Sequence, residues 1–230
     1  MRKPLAIIPA RGGSKRLHKK NIALLDGKPL LVWTIESAMA SGIFDTIRVS
    51  SQDEEILKTA ESAGALPFER PANLSRDDIT LTHFLAETLK NFDFTGGGYT
   101  DLYLLLPTSP FRRGTTIVHA WEFYLNSGAG GLMSIINVPH PPQWALTIDN
   151  TALKPLYPAD YEKSRMDLTP AYMHDGGHII ADINKFLQTG NFLGLHPAAF
   201  PSPEDETIDI NTEIDLKWAE FLLQNGLYRK

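Results

Sequence analysis

The sequence predicts an α/β fold with a mostly parallel central sheet and helices on both faces. Three observations carry this. Short apolar runs alternate with segments of helical period as far as Val138. The first run, Leu5-Ala6-Ile7-Ile8, is apolar at successive positions, as a strand covered on both faces must be. A polar, glycine-containing loop follows it to Asn21, at the edge where an open parallel sheet holds its ligands.

The elements follow in order. Leu30, Leu31, Thr34, Ile35, Ala38 and Met39 have helical spacing from Leu30 to Ser41, and Gly42 ends the helix. Ile47-Arg48-Val49-Ser50 reads as the second strand. Ser51 and Glu54 have the spacing of a capping box for a helix running to Ala63. A helix from about Thr80 to Asn91 meets the break Gly96-Gly97-Gly98. Leu102 to Leu106 reads as a buried strand closed by Pro107. A helix from about Thr115 to Asn126 then leads to a strand from Leu132 to Val138. Residues 139–176 are rich in proline and aromatics and have weak period, so they read as an insertion or arm within one domain spanning 1–230. His178 to Ile183 resumes the core as a strand. The C-terminus closes with a strand from Thr207 to Ile210 and a helix capped by Thr212 and Asp215, with Gly226 near its stop.

The bulk properties narrow the function. A length of 230 residues suits one α/β domain, and 43% hydrophobic with 21% charged residues is ordinary for a globular chain. No run approaches the roughly 20 apolar residues that span a bilayer, and the start does not read as a signal peptide. The cytoplasm is the expected location. With no cysteine, disulfides, zinc thiolates and a cysteine nucleophile are excluded. A net charge of −5 argues against a nucleic-acid coat. Yet Arg11, Lys15, Arg16, Lys19 and Lys20 crowd the first loop. One basic loop on an acidic protein points to a local polyanion such as a nucleoside triphosphate.

Chemistry supports that reading of the loop. In Ala10-Arg11-Gly12-Gly13-Ser14-Lys15 the glycines let the backbone approach a phosphate, and Ser14 and backbone amides can donate to it. Arg11, Lys15 and Lys20 can neutralise a triphosphate and the charge developing at the attacked phosphorus. The run matches neither the P-loop nor the dinucleotide fingerprint. Taken alone, Gly-Gly-Ser-Lys also reads as a glycine turn carrying solvated lysines.

The longer stretch Ile7-Ile8-Pro9-Ala10-Arg11-Gly12-Gly13-Ser14-Lys15 through Lys20-Asn21 resembles the signature of the acylneuraminate cytidylyltransferases, the CMP-sialic acid synthetases and their bacterial relatives. Further segments resemble that family in the same order. They are Val49-Ser50-Ser51 with Asp53-Glu54-Glu55-Ile56, Arg70-Pro71-Ala72 with Leu74 and Asp77, Pro107-Thr108-Ser109-Pro110-Phe111-Arg112, and Ile208-Asp209-Ile210-Asn211-Thr212 to Asp215-Leu216. The resemblance implies a Rossmann-like nucleotidyltransferase. Its expected reaction joins CMP from CTP to an acidic nine-carbon sugar and releases pyrophosphate. It also implies a homodimer whose arm, expected at 139–176, reaches the partner's site.

Site residues follow from the matching positions. CTP is expected on Ala10, Arg11, Gly12, Ser14, Lys15, Lys20 and Asn21, with Arg11 and Lys20 on the phosphates. Arg70 and Asp77 are expected to flank the cytosine and ribose. Magnesium is the expected cofactor, since positioning and charge neutralisation dominate phosphoryl-type transfer. Asp209 is the expected ligand, expected at a strand end before a helix, where a helix-leading acid favoured by the dipole is the alternative reading. Asn211, where the family usually has a second aspartate, is the other expected metal residue, with an amide oxygen that can ligate a hard cation but brings no charge. Asp215 reads as a helix cap.

The sugar is expected on Thr108, Ser109, Arg165, His174 and Asp175. Arg165 resembles a family arginine that suits a carboxylate, and it reads equally as a solvated arm residue. Leu106 replaces a glutamine frequent in sialic acid enzymes. Tyr172-Met173-His174-Asp175-Gly176-Gly177 resembles pseudaminic acid cytidylyltransferases, whereas Thr108-Ser109-Pro110 leans toward sialic or legionaminic acids, and the sugar stays open. His174 and His178 would lie about 13 Å apart on a strand, too far to share a metal. His178 is therefore expected to be structural. Two other readings stand beside this one: a 3-deoxy-octulosonate cytidylyltransferase, and a nucleotide-binding relative without catalysis.

Overall fold

The computed structural model describes residues 2–14, 16–91 and 97–228. Lys15 and Gly96 lie outside the described residues. In chain order the elements begin with β1 (Pro4–Pro9), the short hairpin β2 (Leu24–Leu25) and β3 (Lys28–Pro29), and α1 (Leu30–Ser41). They continue with β4 (Ile47–Ser51), α2 (Glu54–Ser62), β5 (Leu66–Glu69), α3 (Leu81–Asn91), β6 (Asp101–Leu104), α4 (Gly114–Ser127) and β7 (Gly131–Asn137). After these come β8 (Leu146–Asp149), β9 (Ala152–Pro155), β10 (Tyr172–Asp182), α5 (Ile183–Thr189), β11 (Ala198–Pro201) and α6 (Glu213–Gln224).

Seven strands form one sheet in the order β11-β7-β10-β6-β1-β4-β5. β1 pairs parallel with β4 and β6, β4 with β5, and β11 with β7. β10 alone runs against both of its neighbours. The apolar run of β1 shows why it is buried throughout. Ala6 and Ile8 pack with α1, α2 and α4 on one face, while Leu5 and Ile7 pack with α3 and α5 on the other. A third apolar cluster joins Leu25, Leu30, Trp33, Phe111, Ile210, Ala219 and Tyr228, and it fastens α6 to the β2–β3 hairpin. The hairpin turns through Asp26 and Gly27, both at positive φ (50° and 71°), as a two-residue turn of matching twist requires.

Several expectations need correction. The N-cap of α2 is Asp53, whose carboxylate accepts from the amides of Glu55 at 2.9 Å and Ile56 at 3.3 Å. Ser51 Oγ instead accepts from the Asp53 amide at 3.0 Å, so the Ser51–Glu54 box does not form. The Thr212–Asp215 capping box does form. Residues Thr207 to Ile210 make no strand, and the edge strand is Ala198–Pro201 instead. A single-turn helix at Glu204–Glu206 separates the two, and the amide of Ile210 is spent on one loop carbonyl, Thr108 O at 2.8 Å. The inserted segment rejoins the sheet at Tyr172, which pairs with Asn137. Residues 172–176 therefore belong to β10 and not to the arm. The arm proper carries the β8–β9 hairpin.

Candidate active site

The chain steps from β5 back across β1 to β6, so the carboxyl ends of β1 and β6 diverge into a crevice. Because β10 is reversed, its N-terminal half reaches that same edge. A cavity of about 680 Å³ opens there, lined among others by Arg11, Ser14, Arg16, Lys20 and Asn21 from the first loop. Leu106 and Thr108 come from the loop after β6, His174 and Asp175 from β10, and Asp209 and Asn211 from the segment before α6. Asp77 enters from the far side and pairs with Arg11 at 2.9 Å. A second cavity of about 300 Å³ shares Arg11, Asp77 and Leu106 and adds Arg70 and Phe84.

Each wall has a local cause. The first loop is tied down by Asn21, buried, whose Nδ2 donates to Arg11 O at 2.8 Å. Gly12 is required by packing: a Cβ there would lie 2.6 Å from Asp53 Oδ2. Gly13 faces open space. Ala10 is fully buried in the core and does not line the cavity. Asp209 sits at no strand end. It is delivered by Ile210, which is fully buried and donates its amide to Thr108 O, while the Asp215 carboxylate accepts the amides of Asn211 and Thr212 at 2.9 and 2.7 Å.

The cationic side is dense. Lys20 Nζ and an Arg16 guanidinium nitrogen each donate to Asn211 Oδ1 at 3.0 Å. Burial lowers the pKa of Lys20, opposed by Asp209, with Arg16 and Arg11 lowering it further. Arg70 is buried, stacks over Phe84 at 3.8 Å and donates to Ser50, and burial and then Arg11 push it down to about 10. A bound polyanion would relieve this crowding.

Other expected residues stand apart. Ser109 is buried, does not line the cavity, and among the described residues its hydroxyl has no hydrogen-bond partner. Arg165 is held within the arm, donating to Pro139 O at 2.5 Å with its guanidinium 5.7 Å from the Trp144 ring. Asp175 lines the cavity, yet its oxygens accept from Ser134 and Ser202 and from the Gly177 amide, shaping the bulge between His174 and Ile179. His178 is buried as expected, its Nδ1 2.6 Å from the Tyr103 hydroxyl. Burial, aided by Arg112, holds it well below the usual histidine range.

Arg112 closes the Pro107–Arg112 motif, but the motif alone gives it no role. It is almost fully buried, feels the charges of Glu206 and Asp175, and donates to Gly177 O, to Leu106 O at 3.1 Å and to Thr34 at 3.4 Å. It thus clamps the β10 bulge to the loop after β6. The available signal was its place at the end of that motif, directly after the apolar Pro110-Phe111.

These residues fit a magnesium only if the ion shares its ligands with a bound nucleotide. Among the described residues no cluster of three His, Cys, Asp or Glu side chains could hold a metal. Asp209 beside the cationic wall suits an ion that takes its remaining ligands from nucleotide phosphates and water, as magnesium commonly does.

Comparison with known proteins shows the family. The model of the family described as Cytidylyltransferase matches residues 5–169. A pseudaminic acid cytidylyltransferase of Campylobacter jejuni is 35% identical over 96% of both chains. A CMP-N,N'-diacetyllegionaminic acid synthase of Legionella pneumophila is 34% identical over the same shares. An N-acylneuraminate cytidylyltransferase of Escherichia coli is 32% identical over 94% of this chain, which spans only 51% of that relative. Among solved structures, a CMP:2-keto-3-deoxy-manno-octonic acid synthetase complexed with CTP superposes with a TM-score of 0.69 at 16% identity, covering 97% of this chain and 99% of that one. At that identity it speaks for the fold alone. No helix among the described residues is long and apolar enough to cross a membrane. The chain belongs to the cytidylyltransferase family and is a nucleotidyltransferase.

Proposed function

We propose that this enzyme moves CMP from CTP onto the anomeric hydroxyl of an acidic nine-carbon sugar of the acylneuraminate type, releasing pyrophosphate. One observation carries the reading: the basic loop after β1, the Thr108 loop, the β10 bulge and Asp209 converge on a single cavity. Arg11, Lys20 and Arg16 bind the triphosphate and stabilise the charge that builds as the sugar oxygen attacks the α-phosphorus and pyrophosphate departs. Ser14 donates to phosphate oxygens. The smaller cavity with Arg70, Asp77 and Phe84 receives the cytosine and ribose. Thr108 and His174 orient the sugar acid from the opposite wall.

Bound magnesium would supply charge neutralisation at the phosphates, held by Asp209 and the nucleotide. A homodimer is the proposed assembly. The β8–β9 hairpin exposes Ile148 and Leu153 at 71% and 65%, apolar surface that a second copy would cover. In that assembly Arg165 serves the partner's site. The cytoplasm is the proposed location, and cell-surface polysaccharide synthesis the proposed destination of the product.

A second reading, a pseudaminic or legionaminic acid as the substrate, is favoured by Leu106. It places an apolar side chain on the cavity wall where sialic acid enzymes carry glutamine. Pyrophosphate release from CTP and Mg²⁺ tests both, using N-acetylneuraminic, legionaminic, pseudaminic and 3-deoxy-octulosonic acids, with ATP, GTP and UTP as controls. Release with CTP and a nine-carbon acid is expected. Release only with the octulosonic acid, or CTP binding without turnover, refutes the proposal.

A further inference from the structure

We propose that Asn211 is a positioning residue that does the work of a cation, holding the phosphate-facing edge of the site together before any metal arrives. The amide bridges opposite charges. Its Oδ1 accepts from Lys20 and Arg16, each at 3.0 Å, and its Nδ2 donates to Asp209 Oδ2 at 2.6 Å. Charge decides this orientation of the amide. Turned over, its NH₂ would face two cations and its oxygen a carboxylate. The root of the side chain is fixed as well, between buried Ile210 and the amides that Asp215 accepts.

An aspartate at this position would set a carboxylate oxygen against Asp209 Oδ2 at the same separation. Two like charges that close repel strongly unless a cation bridges them. Asparagine removes that requirement. The other carboxylates lining the cavity are already engaged: Asp77 with Arg11, and Asp175 with Ser134 and Ser202. The free protein therefore presents a finished basic edge, and the divalent cation enters with its nucleotide. What that edge binds rests on the cytidyl-transfer reading, but its assembly does not.

The test is thermal melting of the full chain without nucleotide, in EDTA and in millimolar Mg²⁺, for the wild type, Asn211→Asp and Asn211→Leu. The wild type should melt alike in both. Asn211→Asp should melt several degrees lower in EDTA and recover in Mg²⁺. Asn211→Leu should melt lower in both buffers. A wild-type melting point that rises with Mg²⁺ alone overturns the proposal, as does Asn211→Asp behaving like the wild type in EDTA. Should the aspartate variant fail to fold, CTP binding in EDTA decides. Asn211→Leu should bind about tenfold more weakly than the wild type, a loss of about 1.4 kcal/mol, and equal binding overturns the proposal. Melting needs neither nucleotide nor sugar, so failure of cytidyl transfer would appear only in the pyrophosphate assay.

Discussion

Ile210→Ala separates two jobs of one side chain. Ile210, flanked by the polar Asp209 and Asn211, has no solvent exposure in the fold. Its side chain packs with Leu25, Leu30, Trp33, Phe111 and Ala219. Truncation to alanine removes buried methyl and methylene groups and leaves a cavity, which costs about 2–5 kcal/mol. The backbone bond to Thr108 O survives, but the pin that sets the register of Asp209 and Asn211 does not. Ile117, also fully buried but in the cluster around α4, is the matched control. Both variants should lose comparable stability in urea denaturation. Only Ile210→Ala should also lose turnover per folded molecule, measured as pyrophosphate release well below the melting temperature. A tenfold loss or more is expected, since misplacement by about 1 Å can cost a hundredfold. Unchanged turnover in folded Ile210→Ala would refute the anchoring argument.

Three further outcomes are expected. Arg11→Ala should lower turnover about a hundredfold while changing stability by less than about 1 kcal/mol, because its ion pair with Asp77 is solvent-exposed; urea titration beside the pyrophosphate assay checks this. Gly176→Ala should destabilise by about 1–2 kcal/mol, since φ is +74° and the new Cβ would lie 2.9 Å from Leu106 Cδ1. Adding Leu106→Ala should restore the steric part and leave the backbone part, as a double-mutant cycle would report. Stability should also fall as pH drops below the ordinary histidine range. His178 stays neutral when folded, so the unfolded chain takes up a proton there that the native state refuses. The slope is about 1.4 kcal/mol per pH unit for one group. Denaturant midpoints at pH 7 and pH 5 for the wild type and His178→Gln measure it, and equal losses in both would exclude His178 as the source.

Local pattern made much of this molecule legible. The continuous apolar run of β1, the period of α1 with Gly42 behind it, and the Thr212–Asp215 box are set by neighbours within a few residues, and all appear as read. The short edge strands β5 and β11 were illegible, because their residues carry no alternation of their own and gain it only from a partner. The caps of α2 shifted because Asp53 lies nearer the helix than Ser51 and competes for the same amides.

The site divides along the same line. Sequence alone determined the chemical inventory: a basic glycine loop after a buried strand, a Thr-Ser-Pro turn, an acid before a capped helix and an arginine-proline element. Tertiary structure decided which of these meet. The reversal of β10 carries His174 and Asp175 to the carboxyl edge, and Ile210 drops Asp209 and Asn211 beside Lys20, which is 191 positions from Asn211 in the chain. Arg165 and Ser109 match motifs as well as these do, but one is held in the arm and the other is buried. Residue type sets what a side chain can do chemically, whereas strand direction and burial of its apolar neighbours set where it does it.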